Sequence, residues 1–177
     1  MIVIYGSSRE KSNTEFLTEI GLEGKEVTRI HLREHTIFPI EDQRHEPTGF
    51  DRVDDSFDEV MQELMKHDEM VLATPIYWYG MSGLMKNFVD RWSQAMRDEK
   101  YEALREKIGQ KKLYVVAVGG DNPRLKGLPL IQQFQYICDY FGMTFADYVI
   151  GKAGKPGDIE QDARAISDMK FMAQNWR

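Results

Sequence analysis

Cysteine is nearly missing from this sequence, since Cys138 is the one cysteine among 177 residues. A single thiol cannot form an internal disulfide framework, and one chain cannot build a cysteine-only metal or iron–sulfur site with it. A reducing compartment is therefore expected, and the cytoplasm is the simplest assignment. The sequence also lacks an apolar run of roughly 20 residues that could cross a bilayer, and it opens on a strand-like segment rather than a signal peptide. No membrane association is expected.

Clustered positive charge is missing as well. The chain has 23 basic and 29 acidic residues, a formal net charge of -6, and no dense run of Lys or Arg. Nucleic-acid backbones are bound by clustered positive surfaces, so nucleic acid is not an expected partner. The length, with 42% hydrophobic residues, suits one globular domain that covers residues 1–177.

Several phosphate and catalytic signatures are absent. In "GSSREKSNT", residues 6–14, Lys11 and Ser12 come one residue too early for a Walker A loop and its second glycine is missing. The G-x-G-x-x-G dinucleotide fingerprint and the G-x-S-x-G nucleophile elbow do not occur. A receiver domain needs acidic residues after the first and third strands, where this chain has Gly6 and Thr74. His31 and His35 lie at a strand end and in a loop, an unfavourable arrangement for a metal site.

Short apolar runs alternate with helical patterns along the whole chain. The runs, at residues 2–5, 27–32, 70–74, 113–118 and 144–150, are nearly continuous, which is typical of strands covered on both faces. Helical patterns follow at residues 13–22, 55–67, 83–96, 128–142 and 157–176. This alternation predicts an α/β fold with a five-stranded parallel sheet, doubly wound in the order 2-1-3-4-5, and helices on both faces. The ligand is then expected beyond the carboxyl ends of the strands.

The connection at residues 33–54 is longer than usual and contains Pro39, Pro47 and Gly49. Loops of this length are often lids or contacts with a partner, and both remain open for this one. It contains no cysteine, so an iron–sulfur cluster is not expected there.

The first strand leads through Gly6 into a stretch crowded with small polar residues. A strand, a tight turn and a helix start leave backbone N–H groups unpaired, which favours an anion. Ser7, Ser12, Asn13 and Thr14 could add side-chain donors, and Arg9 could add a charged fork. The alternative is that these side chains only cap the helix, although capping requires one residue of this kind.

The loop after the third strand is rich in aromatic residues. Pro75 stiffens the strand exit, and Tyr77, Trp78 and Tyr79 follow. Three large rings in a connection indicate a flat partner, because aromatic faces gain from stacking; contact with a neighbouring subunit or with the core is the alternative. Gly80 and Gly83 would let the backbone approach a planar ligand.

Together the two loops describe a ligand with a phosphate at one end and a flat aromatic system at the other. The chain resembles the flavodoxin-like NAD(P)H-dependent FMN reductase family, whose motifs G-S-x-R-x-x-S-N-T and T-P-x-Y-x-x-x-M-S-G-x-M-K-x-F-x-D-R read here "GSSREKSNT" and "TPIYWYGMSGLMKNFVDR". The second motif is the more specific one, and the resemblance covers most of the chain.

The resemblance implies a flavodoxin-like fold, FMN as cofactor and NADPH or NADH as co-substrate. It implies that the flavin N5 atom carries the chemistry without a catalytic side chain, and that the acceptor is a small molecule such as a quinone, free flavin, azo compound or metal oxyanion. It also implies a homodimer or homotetramer. The residues that it assigns to the cofactor are Ser7, Arg9, Ser12, Asn13 and Thr14 for the phosphate, Pro75, Ile76, Tyr77 and Trp78 along the ring, and Gly119, Gly120 and Asp121 on the other side.

Two further functions are compatible with the sequence, a flavodoxin-type electron carrier with an acidic docking surface and a flavin-binding regulatory protein without substantial NAD(P)H turnover. The interpretation as an enzyme is favoured by the long second loop and by basic residues expected near the pocket rims. These are Arg91, Arg97, Arg124 and Lys126.

Overall fold

The computed structural model describes residues 1–176 and is built on a five-stranded parallel sheet in the order β2-β1-β3-β4-β5. The strands are β1 (Ile2–Tyr5), β2 (Thr28–His31), β3 (Glu69–Pro75), β4 (Lys112–Gly119) and β5 (Thr144–Lys152). The predicted fold class, strand order and parallel direction are confirmed. The strands follow the apolar runs closely: the central strands β1, β3 and β4 are buried along almost their whole length, whereas the edge strands β2 and β5 are partly exposed.

The helices are α1 (Asn13–Leu22), α2 (Phe57–Met65), α3 (Gly83–Asp90), α4 (Trp92–Ala95), α5 (Leu104–Gly109), α6 (Pro123–Lys126), α7 (Leu128–Phe141) and α8 (Ala163–Met172). The helix predicted at residues 83–96 is divided at Arg91, and the short α5 and α6 were not predicted. No helix within residues 1–176 is both long and apolar enough to cross a membrane.

Two apolar layers cover the sheet. On one face, Ile4 and Leu72 belong to a buried cluster with residues of α2, α3 and α7. On the other face, Val3 and Val71 belong to a cluster with residues of α1 and α8. Neighbouring strand residues alternate between these layers, since successive side chains of a strand point to opposite faces. Both layers hold the strands in one register and so fix where their carboxyl ends meet.

The sheet extends by backbone hydrogen bonds into the loops at its carboxyl edge. The N–H of Gly6 donates to the carbonyl oxygen of Ala73 with an N···O distance of 2.8 Å, and the N–H of Ile76 donates to Val118 at 2.8 Å. The N–H of Ala153 donates to the carbonyl oxygen of Gly119 at 2.9 Å. The loops after β1, β3, β4 and β5 therefore meet at one edge.

The long connection between β2 and α2 is fastened by a buried ion pair. The guanidinium of Arg91 lies 2.6 Å from a carboxylate oxygen of Asp55, and their side chains are 3% and 1% exposed. Arg91 also donates to the carbonyl oxygen of Phe38 at 3.2 Å. Arg91 was predicted near a pocket rim, but its side chain is buried and its guanidinium binds Asp55 and Phe38, which holds this loop in place.

Candidate functional site

The predicted site residues surround a cavity at the carboxyl edge of the sheet. Its volume is about 440 Å³, within the ordinary range of roughly 300–1,000 Å³ for small-molecule sites. The predicted residues that line it are Ser7, Arg9, Ser12, Asn13, Thr14, Pro75, Ile76, Tyr77, Gly119 and Gly120. Trp78 and Asp121 instead line a smaller adjoining hollow of about 240 Å³, which shares Ile76, Gly119 and Gly120 with the cavity.

At one end of the cavity the β1 loop, residues 6–12, leads into α1. The hydroxyl of Ser12 accepts the N–H of Glu15 at 3.1 Å, and its carbonyl oxygen accepts the N–H of Phe16 at 2.9 Å. The N–H groups of Asn13 and Thr14 are the remaining donors of the first turn. Ser12 thus caps the helix, as the alternative interpretation expects, and capping and an anion site coexist here.

The floor at this end consists of small hydroxyl side chains. Ser7 is 3% exposed and Thr14 is 2% exposed. The hydroxyl oxygen of Ser7 accepts the N–H of Arg9 at 3.1 Å, so its own proton remains for an outside acceptor. Together with the helix start, these groups form a donor set that suits a phosphate.

The exposed tip of the β1 loop is supported from the turn that follows β2, Leu32–Glu34. Arg33 donates to the carbonyl oxygen of Arg9 at 3.4 Å and lies 3.6 Å from a carboxylate oxygen of Glu15. Lys11 takes a left-handed conformation with φ of 48°, which costs a non-glycine residue about 1–2 kcal/mol. The hydrogen bond from Arg33 keeps the backbone of Arg9 next to the cavity, although the side chain of Arg9 is exposed to solvent.

Asn13 lines the cavity, but its side-chain amide is engaged elsewhere. Its Nδ2 donates to the carbonyl oxygen of Lys155 at 2.8 Å, and its Oδ1 accepts the N–H of Gly157 at 2.9 Å. Both partners belong to the loop after β5. The role predicted for Asn13 toward a phosphate can therefore be supplied by its backbone N–H, while its amide fastens a neighbouring loop.

Residues 77–80, the aromatic turn, form a tight reversal at the other end of the cavity. Tyr77 and Gly80 exchange two backbone hydrogen bonds of 3.0 Å, and Trp78 and Tyr79 have φ values of 48° and 64°. This is the pattern of a type I′ turn, whose central positions favour Asn and Gly. Trp78 is 96% exposed. The close approach expected of Gly80 and of Gly83, where α3 begins, stays a prediction.

Replacing the exposed first central residue, Trp78→Asn, is expected to raise the free energy of unfolding by about 1 kcal/mol, and Tyr79 is kept because its hydroxyl donates to Asp121. The reason is that Asn adopts a left-handed conformation at little cost, whereas bulky residues pay for it. Urea unfolding of both proteins measures the change. Equal or lower stability of the variant would mean that the Trp78 ring contributes contacts that outweigh the backbone strain.

Basic side chains near the adjoining hollow are paired with acidic ones. Asp121 accepts from Lys126 at 2.6 Å and from the Tyr79 hydroxyl at 3.0 Å, and these two hydrogen bonds lower the pKa of its carboxyl. Arg124 donates to Asp162 at 2.6 Å. Burial raises the pKa of Asp162, but the N–H of Lys152 and the Arg124 guanidinium outweigh it and lower the pKa overall. Neither Arg124 nor Lys126 is among the residues that line the cavity or the adjoining hollow, and both are paired with carboxylates, so their position at the rim stays a prediction.

Arg97, the fourth basic residue predicted near a rim, does not line this cavity. It lies beside a separate groove between α3, α4 and α7.

The sequence interpretation missed the loop after β5, which supplies Ala153, Gly154 and Pro156 to the cavity wall. The signal that could have found it is the run "AGKPGD" directly after the last strand, since glycine and proline mark a turn at the same sheet edge. Ligands of doubly wound sheets usually bind where the strand order reverses, so the loops after the strands nearest to that point were expected to form the site, and the loop after β5 was not.

This fold and this cavity define a class, the doubly wound α/β proteins that bind a phosphate-bearing ligand with a planar group at the carboxyl edge of the sheet. The family described as flavodoxin-like fold matches residues 2–170. The chain belongs to this family, which confirms the resemblance found in the sequence.

Individual proteins agree with the family. A Bacillus subtilis protein named as the NAD(P)H-dependent FMN-containing oxidoreductase YwqN is 46% identical over 165 residues, which are 93% of this chain and 91% of that protein. An FMN-dependent NADH:quinone oxidoreductase of Thiobacillus denitrificans is 38% identical over 67% of this chain and 60% of its own length. The solved structure of the Trp repressor binding protein from Bacillus subtilis superimposes with a TM-score of 0.84 and 36% identity, covering 99% of both chains.

Proposed function

We propose that this protein is an FMN-dependent NAD(P)H oxidoreductase that passes electrons to a quinone, a flavin or a similar small acceptor. The observation that carries the proposal is one cavity of about 440 Å³ that joins a hydroxyl-lined helix start to an aromatic turn. The names of the relatives from Bacillus subtilis and Thiobacillus denitrificans support the same activity.

The chemistry of the cavity fits FMN at both ends. Backbone donors at the start of α1, with Ser7, Ser12, Thr14 and Arg9, suit the phosphate. Tyr77 and Pro75 would lie along the ring, with Trp78 at its outer edge. Bound FMN would supply the hydride-accepting atom N5. The side chains would then bind, orient and shield it, and no catalytic side chain is proposed.

On the far side of the ring, Gly119 and Gly120 would present backbone. A Cβ on Gly119 would lie 3.1 Å from the side chain of Ile76, so a larger residue would push Ile76 toward the cavity. Asp121, tied to Tyr79 and Lys126, would hold the aromatic turn next to the loop after β4.

Arg9→Ala is expected to weaken FMN binding by about tenfold, since a charge-assisted hydrogen bond contributes about 1.5–3 kcal/mol and solvent exposure reduces this. Lys170→Ala, which removes an exposed positive charge on α8, is the matched control. Fluorescence titration of FMN into the apoproteins measures both affinities. Equal affinities of the two variants would remove Arg9 from the phosphate site.

A homodimer or homotetramer is also proposed, with α7 as the contact. Tyr136 and Tyr140 on this helix are 62% and 54% exposed, and Asp139 is its one charged residue. Exposed tyrosines with few charges are typical of interfaces. Light scattering is expected to give at least twice the monomer mass for the wild type and the monomer mass for Tyr136→Glu. A monomeric wild type would contradict the proposal.

The activity itself is tested on purified protein. Flavin absorbance after loading with FMN, followed by NADH and NADPH oxidation with and without a quinone, is the measurement. Absence of FMN binding would overturn the proposal. Bound FMN without oxidation of either nucleotide would favour the electron carrier or the regulatory protein. A cytoplasmic location is proposed from the single cysteine, which suits a reducing compartment.

A further inference from the structure

We propose that Asn13 and Asp158 form a clamp that positions the β5 loop, residues 153–157, as a wall of the cofactor cavity. In this assignment the side chain of Asn13 is a positioning group and does not bind the phosphate. The identity of the ligand rests on the proposed function, whereas the clamp itself is a property of the protein alone.

The first half of the clamp is the amide of Asn13. It donates to the carbonyl oxygen of Lys155 at 2.8 Å and accepts the N–H of Gly157 at 2.9 Å. Both ends of the amide thus bind one loop that lies 142 and 144 residues away in sequence. An amide used in this way has one N–H left, and turning it toward a phosphate would break both contacts.

The second half is the carboxylate of Asp158. One of its oxygens accepts the N–H groups of Gly154 at 3.2 Å and of Lys155 at 2.8 Å. The N–H of Asp158 donates to the carbonyl oxygen of Lys155 at 3.2 Å, which Asn13 also binds. The two side chains therefore meet at Lys155, and each loop N–H other than that of Ala153 has a partner within the clamp, since Pro156 has none to offer.

The clamped loop reaches the opposite wall of the cavity. The N–H of Ala153 donates to the carbonyl oxygen of Gly119 at 2.9 Å. A Cβ on Gly120 would lie 3.4 Å from the Cα of Gly154, so the two loops are in close contact. The clamp consequently connects the start of α1 to Gly119 and Gly120, the backbone proposed to face the flavin ring.

The need for a clamp follows from the composition of the loop. Residues 154–157 are exposed, and Gly157 has a left-handed φ of 85°. Such a segment buries little apolar surface and would sample many conformations. Ordering it before the ligand arrives reduces the entropy lost on binding.

Hydrogen exchange of the apoprotein tests the clamp without any ligand. The amides of Gly154, Lys155 and Gly157 are expected to exchange at least about fivefold faster in Asn13→Ala and in Asp158→Ala, as the loss of one net hydrogen bond implies. Asp158→Asn keeps an acceptor oxygen and is expected to restore the slow exchange. Exchange that is as fast in the wild type as in both alanine variants would overturn the clamp.

Binding of FMN and of riboflavin, which lacks the phosphate, separates positioning from phosphate contact. Asn13→Ala and Asp158→Ala are expected to weaken both ligands by the same factor, about fivefold, and the double variant is expected to be no weaker than the weaker single variant. Loss of FMN affinity alone in Asn13→Ala, or additive losses, would contradict the clamp while leaving the proposed function in place. A wild-type protein that binds neither ligand would overturn the proposed function, and the exchange experiment would still decide on the clamp.

Discussion

Arg91→Met is expected to lower the free energy of unfolding by about 3–5 kcal/mol, because it leaves the buried carboxylate of Asp55 without its counter-charge. The Asp55 side chain is 1% exposed and lies 2.6 Å from the guanidinium. Its oxygens also accept the N–H groups of Phe38 at 2.9 Å and Phe57 at 3.0 Å, so the carboxylate cannot turn to water without releasing the loop between β2 and α2. Denaturant unfolding measures the loss.

Two further variants decide the cause. Arg97 follows α4, and its exposed guanidinium donates to the carbonyl oxygen of Ser93 at 3.0 Å. Arg97→Met is expected to change the free energy of unfolding by less than about 0.5 kcal/mol. Arg91→Met with Asp55→Asn removes both charges, and its single amide oxygen can still accept one of the two N–H groups, which in the wild type go to different carboxylate oxygens. It is expected to be more stable than Arg91→Met alone. If the double variant is no more stable, the unpaired charge is not the main cost of removing the arginine.

The same ion pair shows why part of this structure could not be predicted from sequence. The short apolar runs predicted β1 to β5 because a buried strand leaves a local signature. The helix Asn13–Leu22 was predicted as observed, since Gly21 and Gly24 mark its end. Arg91 and Asp55 are 36 residues apart, and an arginine in an amphipathic helix normally reaches solvent. Only the fold brings the two charges together.

Some residues of the candidate site could likewise be predicted from the sequence, and others could not. Ser7 and Ser12 could be placed at the cavity because a strand, a turn and a helix start have a fixed geometry. The type I′ turn could not, since Trp78 and Tyr79 are among the residues least expected at left-handed positions. Asn13 carries a polar amide in a loop that favours anions, so the sequence predicts a ligand contact. Its partners Lys155 and Gly157 are 142 and 144 residues away in sequence, and no local sequence pattern predicts a contact over that distance.

Gly6→Ala is expected to lower the free energy of unfolding by about 2–4 kcal/mol and to weaken FMN binding by more than about tenfold. An added Cβ would lie 2.9 Å from the hydroxyl oxygen of Ser82 and 3.0 Å from the Cβ of Met85. Overpacking of this kind costs about 1–3 kcal/mol. The Ser82 hydroxyl also donates to the carbonyl oxygen of Gly6 at 2.6 Å and caps α3 by accepting the N–H of Met85 at 3.2 Å, and a lost cap adds about 0.5–2 kcal/mol.

Gly83→Ala is the matched control for stability, because nothing lies within 4 Å of the Cβ that it would add, and it is expected to leave the free energy of unfolding nearly unchanged. Gly6 does not have a left-handed φ, so alanine can adopt its conformation and the substitution tests space alone. The hydrogen bond between Gly6 and Ser82 joins the start of the β1 loop to the start of α3, directly after the aromatic turn. A shift there would therefore move the proposed phosphate end and ring end relative to each other, and Gly6→Ala with wild-type stability and affinity would show that the two ends do not depend on this contact.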